Sequence, residues 1–201
     1  MMDDEVLEFI RTRIATDTSR GPQRIARLSD IADAERVFRF ELPPFYVRVL
    51  TEVANGGFGP GCGIIGVPPE GFQDSDLDAS LTEAYVRGRA TEEVGYRQPR
   101  GLIHLCNWGC AIFSYLDCEA RPARVVTHAP RAHGLAEGLE YTESSPSLAT
   151  WLEAWALGVN VGAEMYEIVG HREGINPFTK MPIRLPKARL KGARIDFSSR
   201  M

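Results

Sequence analysis

The side chains best suited to chemistry gather in one stretch of the chain, where His104, Cys106, Cys110 and Cys118 follow one another. Imidazole and thiolate are the usual ligands of zinc, and along a regular strand His104 and Cys106 share a face because side chains alternate. The spacing argues against a metal. Paired C-x-x-C knuckles are missing, and Cys106 to Cys110 spans a hairpin turn. Thiols used as small core residues are the simpler reading. A thiol or serine nucleophile needs a base and an orienting group as well, and no Cys or Ser sits in a signature that selects one of the four histidines. Asp74 and Asp76 have the residue type of glycoside chemistry, but they lie in a charge-rich stretch that reads as solvated surface. The expectation is no catalytic residue, no metal and no cofactor.

Gly61-Cys62-Gly63-Ile64-Ile65-Gly66 carries the letters of the dinucleotide fingerprint. That motif works when a strand feeds a tight turn and a helix N-terminus then faces the pyrophosphate. Here a helical pattern precedes the glycines, and a short apolar run stopped by Pro68-Pro69 follows. The glycines therefore read as structural, supplying positive φ and close packing.

The elements around these residues are legible from periodicity. Val6, Leu7, Ile10 and Ile14 give a helix within Asp3–Thr16. Gly21-Pro22 breaks the chain, and a second helix is expected over Asp30–Phe38 with Ser29 as its cap. Leu42-Pro43-Pro44 interrupts it, and Pro44 suits the first turn of a third helix reaching Ala54, with Tyr46, Val49, Leu50 and Val53 inward. Asn55-Gly56 stops that helix. A loop then leads to a short strand at Ile64–Val67. A helix fits Ser80–Arg89. Leu102–Asn107, Ala111–Asp117 and Arg124–His128 read as an antiparallel meander, with a tight turn at Trp108-Gly109. Leu148, Trp151, Leu152 and Trp155 mark a last helix closed by Gly158. Beyond Gly170 an extended, proline-spaced basic arm is expected.

A chain of 201 residues, 44% hydrophobic and 25% charged, has the composition of one soluble globular domain with a terminal extension. Its apolar runs fall far short of the roughly 20 residues a membrane helix needs. Acidic Asp3-Asp4-Glu5 at the start and four sparse cysteines read as cytoplasmic. The net charge of −4 is unevenly spread: from His171 onward eight Lys or Arg face only Glu173 and Asp196, so the tail is near +6 and the body near −10. Seven carboxylates crowd Glu70–Glu93. Such a stretch reads as solvated surface; its functional reading is that it steers a basic protein partner, with Asp74, Asp76, Asp78, Glu92 and Glu93 as candidate contacts. Trp108, at the hairpin tip, reads as a core anchor, with the alternative of an exposed residue of the type that dominates interfaces, which makes it a further candidate contact; Trp151 and Trp155 read as core. The basic tail lacks interleaved aromatics, so nucleic acid is not the expected partner and self-docking on the acidic body fits as well.

Several of these residues resemble the SUKH superfamily. The similar segments are Leu42-Pro43-Pro44-Phe45-Tyr46, the run Val53-Ala54-Asn55-Gly56-Gly57-Phe58-Gly59-Pro60-Gly61, then Gly63-Ile64-Ile65-Gly66-Val67, and Trp108-Gly109-Cys110-Ala111 with Leu116-Asp117. The resemblance spans Ser29 to Gly158. It implies an α+β fold with an antiparallel sheet flanked by helices and no catalytic residue set. The superfamily includes bacterial immunity proteins for polymorphic toxins and fungal regulators of cell-wall synthesis, so it also implies a protein-binding role. In immunity members the partner is a toxin domain, often a nuclease, blocked by occlusion. The expected organisation is an N-terminal helix and linker over 1–28, a SUKH-like domain over 29–160 and a basic extension over 161–201. The expected function is neutralisation of a toxin by direct binding; the alternatives are a regulatory or scaffold domain docking through the arm, and a thiol-dependent enzyme.

Overall fold

A computed structural model describes residues 3–17, 24–75, 77–91, 97–128, 141–164, 166–175 and 180–201. The fold is α+β. Helices α1 (Asp3–Thr16), α2 (Leu28–Phe38) and α3 (Pro44–Arg48, running into a π-helical turn Val49–Val53) come first, followed by α4 (Leu81–Ala90). Strands β1 (Leu102–Gly109), β2 (Ile112–Asp117), β3 (Arg124–His128) and β4 (Tyr141–Ser145) form an antiparallel meander. Helices α5 (Leu148–Ala156) and α6 (Val161–Glu164) precede strands β5 (Tyr166–Ile175), β6 (Pro182–Leu190) and β7 (Arg194–Ile195). The main sheet has the order β1-β2-β3-β4-β7, and β5 and β6 form a separate two-stranded sheet among the described residues. Among the described residues no helix is long and apolar enough to cross a membrane.

The larger core lies between the helices and one face of the main sheet. Val6, Leu7 and Ile10 of α1 and Leu148, Trp151 and Leu152 of α5 enter it together with Ile103, Leu105 and Leu116 of the sheet. The opposite face carries a second cluster built from Leu102, Tyr115, Val126, Tyr141 and Phe197. A β-bulge decides which residues of β1 go where. His104 pairs with Tyr115 but Cys106 pairs with the next residue, Ser114, so Leu105 is the extra residue. The bulge reverses the alternation: His104 packs 4.5 Å from the Tyr115 ring on the second face, whereas Cys106 joins the first core. The shared face expected for His104 and Cys106 is thereby corrected.

The glycine-rich segment is a connector. Asn55 anchors it: its Nδ2 donates to the Val67 carbonyl at 2.9 Å and its Oδ1 accepts from the Val67 amide at 2.8 Å. Two positions demand glycine. A Cβ on Gly66 would collide with the Asn55 carbonyl, and one on Gly56, at φ +84°, would lie 2.5 Å from the Ile64 carbonyl oxygen. Gly57, Phe58, Gly59, Pro60, Gly61 and Gly63 fold this turn back on itself, the Ile64 amide donating to the Phe58 carbonyl at 2.6 Å. Ile64–Val67 is not the regular strand expected. The segment runs beside β1, the Cys62 amide donating to the Asn107 carbonyl (2.8 Å) and the Ile65 amide to the Leu105 carbonyl (2.9 Å).

Other boundaries moved for local reasons. Helix α2 starts at Leu28, capped by Arg27 and not Ser29, because the Asp30 carboxylate accepts from the Arg27 amide at 3.0 Å. The hairpin turn between β1 and β2 lies at Cys110-Ala111, two residues past the expected Trp108-Gly109, and both residues are left-handed (φ 54° and 63°). The basic arm is not a loose extension. It forms the β5–β6 hairpin and then returns to the main sheet, where β7 pairs with β4 and Phe197 enters the second core cluster. A boundary at 160/161 therefore cuts through packed structure. Arg200 holds this return, its guanidinium 2.6 Å from the fully buried Asp117 carboxylate, which also pairs with Arg124 at 3.0 Å.

Candidate protein-docking surface

The carboxylates singled out from sequence do not form one surface. Asp74 is 4% exposed and accepts a hydrogen bond from Asn107 Nδ2 at 3.0 Å, so the loop after Pro69 folds back against β1 and its acid faces inward. This corrects its assignment as a solvent-facing contact. Asp76, Glu92 and Glu93 lie outside the described residues. Asp78 sits at the mouth of a groove between α2 and α4, its carbonyl accepting from Arg87 at 2.7 Å. Trp108 lies in β1, half-buried, its ring edge-on to Trp151 at 6.4 Å and its indole N–H donating to Ser114 Oγ at 2.9 Å. That places it as a core anchor. From Ser114 the hydroxyls of Thr127 (3.0 Å) and Ser144 (2.6 Å) continue the chain of bonds across the sheet.

The α2–α4 groove measures about 490 Å³ and is lined by Val37, Asp78, Thr82, Glu83, Val86 and Arg87. Its walls are fixed from behind. Tyr85 of α4 meets Phe38 of α2 edge-on at 5.2 Å and Phe40 at 5.8 Å, contacts worth about 1 kcal/mol each beyond burial. At the start of α4, Glu83 accepts from the Ser80 amide at 2.9 Å while the Ser80 hydroxyl caps the Glu83 amide. The bond from the Ser80 amide holds the Glu83 carboxyl below the usual range, so it is ionised at neutral pH. With Tyr85 turned inward, its neighbour Val86 is left 50% exposed, opposite Val37 at 44%. The lining thus sets two exposed valines beside two carboxylates, Asp78 and Glu83, and one guanidinium, Arg87.

The groups with chemical potential are dispersed. Burial pushes the Cys106 and Cys118 thiols up and holds them protonated. Cys62 and Cys110 are exposed. His104 and His128 are both buried in the second cluster, and burial pushes each down to about 4. Their Nδ1 and Nε2 atoms, respectively, have no hydrogen-bond partner. Among the described residues no three His, Cys, Asp or Glu side chains converge on a point that could hold a metal.

Sequence reasoning missed the two valines. A signal existed: Val86 lies among charged residues on the side of Ser80–Arg89 away from Leu81, Ala84 and Tyr85, where a lone apolar residue has no core to serve. The fold and surface together define an α+β domain with an exposed groove. No family profile, no characterised protein and no solved structure matches the chain.

Proposed function

We propose that this chain is a non-enzymatic protein-binding domain that neutralises a cognate toxin by direct binding and occlusion. The observation that carries the reading is the α2–α4 groove, where exposed Val37 and Val86 share the lining with Asp78, Glu83 and Arg87. Interfaces of this kind combine a desolvated apolar centre with a charged rim that sets encounter rate and specificity. With two carboxylates to one guanidinium the rim is net negative, so the partner presents a basic surface carrying an apolar anchor. The SUKH-like segments supply the second support, since toxin immunity is among the roles that resemblance implies. A cytoplasmic site of action belongs to the same reading.

The test is co-expression with the toxin domain encoded by the neighbouring gene. A stable complex and rescue of growth are expected. Val86→Arg should break the complex while leaving the thermal transition in place, and Asp78→Lys should slow association by about tenfold at low salt. Failure to bind the toxin or to rescue growth refutes the proposal. Unchanged binding by both variants refutes the groove as its site.

A further inference from the structure

The β5–β6 hairpin stands outside the main sheet, and both of its legs are clamped. On the way in, α6 packs so closely on Trp108 that a Cβ on Gly162 would lie 2.6 Å from the indole ring. On the way out, Gly192 at φ +103° leaves no room for a Cβ beside the Glu143 carbonyl, and the Glu143 amide donates to the Ala193 carbonyl at 2.9 Å. From this base the ten residues of β5 span about 30 Å. At the far end the register closes on Ile175 opposite Pro182. Ile175 and Met181 are 69% and 63% exposed there, and Lys180, next to Met181 in the chain, is exposed as well. A two-stranded ribbon is marginal in water by itself, so burying this end against a partner stabilises it.

We propose that the partner is a second copy of this chain, the hairpin end of one molecule occupying the α2–α4 groove of another. The two surfaces match in both respects that matter at an interface. Exposed Val37 and Val86 cover Ile175 and Met181, while Asp78 and Glu83 on a net negative rim meet Lys180. The wider charges agree. Residues 166–190 carry five Lys or Arg against Glu167 and Glu173, whereas residues 1–165 carry 15 Lys or Arg against 24 Asp or Glu, a sum of −9. No described residue of the hairpin lines the groove of its own chain, and with both legs clamped the contact runs between molecules. The inference rests on the groove being a docking surface, as the toxin reading does, but it needs no toxin; a toxin domain at the groove displaces the hairpin.

The experiment is sedimentation velocity of the full chain alone, from about 5 µM to about 500 µM. The average mass should rise above that of a monomer with concentration, and less so in high salt. Val86→Arg, which spoils the groove, and Ile175→Glu/Met181→Glu, which spoils the hairpin end, should each weaken association by at least about tenfold with an unchanged thermal transition. An equimolar mixture of these two variants should associate again, because one supplies an intact hairpin end and the other an intact groove. A wild-type chain that stays monomeric, full association by either variant, or a mixture no more associated than its parts overturns the proposal. Toxin binding is read separately on the hairpin variant, whose groove is intact: a wild-type chain that is monomeric yet binds the toxin refutes this inference alone, and one that self-associates but ignores the toxin refutes the toxin reading alone.

Discussion

Lowering the pH from 7 to 4.5 should destabilise this protein through two imidazoles before its carboxylates matter. His104 and His128 stand in the aromatic cluster on the second face of the sheet, with Tyr115, Phe113 and Tyr141 as their ring neighbours. Burial favours the neutral ring, and each is pushed from an ordinary value of 6.5 to about 4. The unfolded chain therefore binds more protons than the folded one between these values. The stabilising difference is complete above about pH 6.5 and is lost as the pH falls toward 4. At pH 4.5 the loss is about 2 kcal/mol per histidine and about 4 kcal/mol for the pair, a large share of the roughly 5–15 kcal/mol typical of a domain. The carboxylates held low by their partners, Asp30, Glu52 and Glu83, start from ordinary values of 3.8 to 4.5 and act below this window. Urea unfolding followed by tryptophan fluorescence at half-unit pH steps measures the effect. The double variant His104→Phe/His128→Phe should be flat from pH 7 to 5, because it removes both titrating rings and their unpartnered nitrogens. A wild-type curve that is itself flat over that interval, or a double variant as steep as wild type, refutes the reasoning.

Four further outcomes follow from single features. Arg200→Ala should cost about 2–3 kcal/mol by leaving the buried Asp117 with Arg124 as its remaining guanidinium, read as a shift in the denaturation midpoint. Asn55→Ala strands the Val67 amide and carbonyl and should cost about 2–4 kcal/mol in the same assay. Replacing Cys110-Ala111 by Asn-Gly should stabilise by about 1–2 kcal/mol, since both positions are left-handed and those residues adopt that backbone readily; no gain would mean the turn relaxes. With a thiol reagent, Cys62 and Cys110 should react in the native protein, while Cys106 and Cys118 react only in denaturant.

How much of this could be read from the chain differs between elements. The helices α1, α4 and α5 and the meander were legible because each buries a periodic stripe, such as Leu148, Trp151 and Leu152, against one core. The bulge at Leu105 was not, because an extra residue in a strand leaves no mark when its neighbours are apolar too. Strand β4, Tyr-Thr-Glu-Ser-Ser, has little apolar character and exists through its pairing with β3 and β7. The return of the C-terminal segment depended on Arg200 meeting Asp117, 83 positions away, which local pattern cannot reveal. Of the candidate surface, the acidic stretch was visible and its geometry was not: Asp74 turned inward, while Val37 and Val86, on separate helices, met only in three dimensions.

The contacts of the glycine-rich segment with β1 reach beyond the segment's own shape. A strand at the end of a sheet offers unpaired amides and carbonyls to any other chain, a standing invitation to aggregate. Here Cys62 and Ile65 occupy the outer side of β1, and two-residue β7 lies along β4 at the other end. Ordinary strand addition is thus obstructed along this part of β1, and at the other margin the edge strand is only the two residues of β7. A partner that binds this side of the molecule has to recognise it by side chains and shape, and not by extending the sheet.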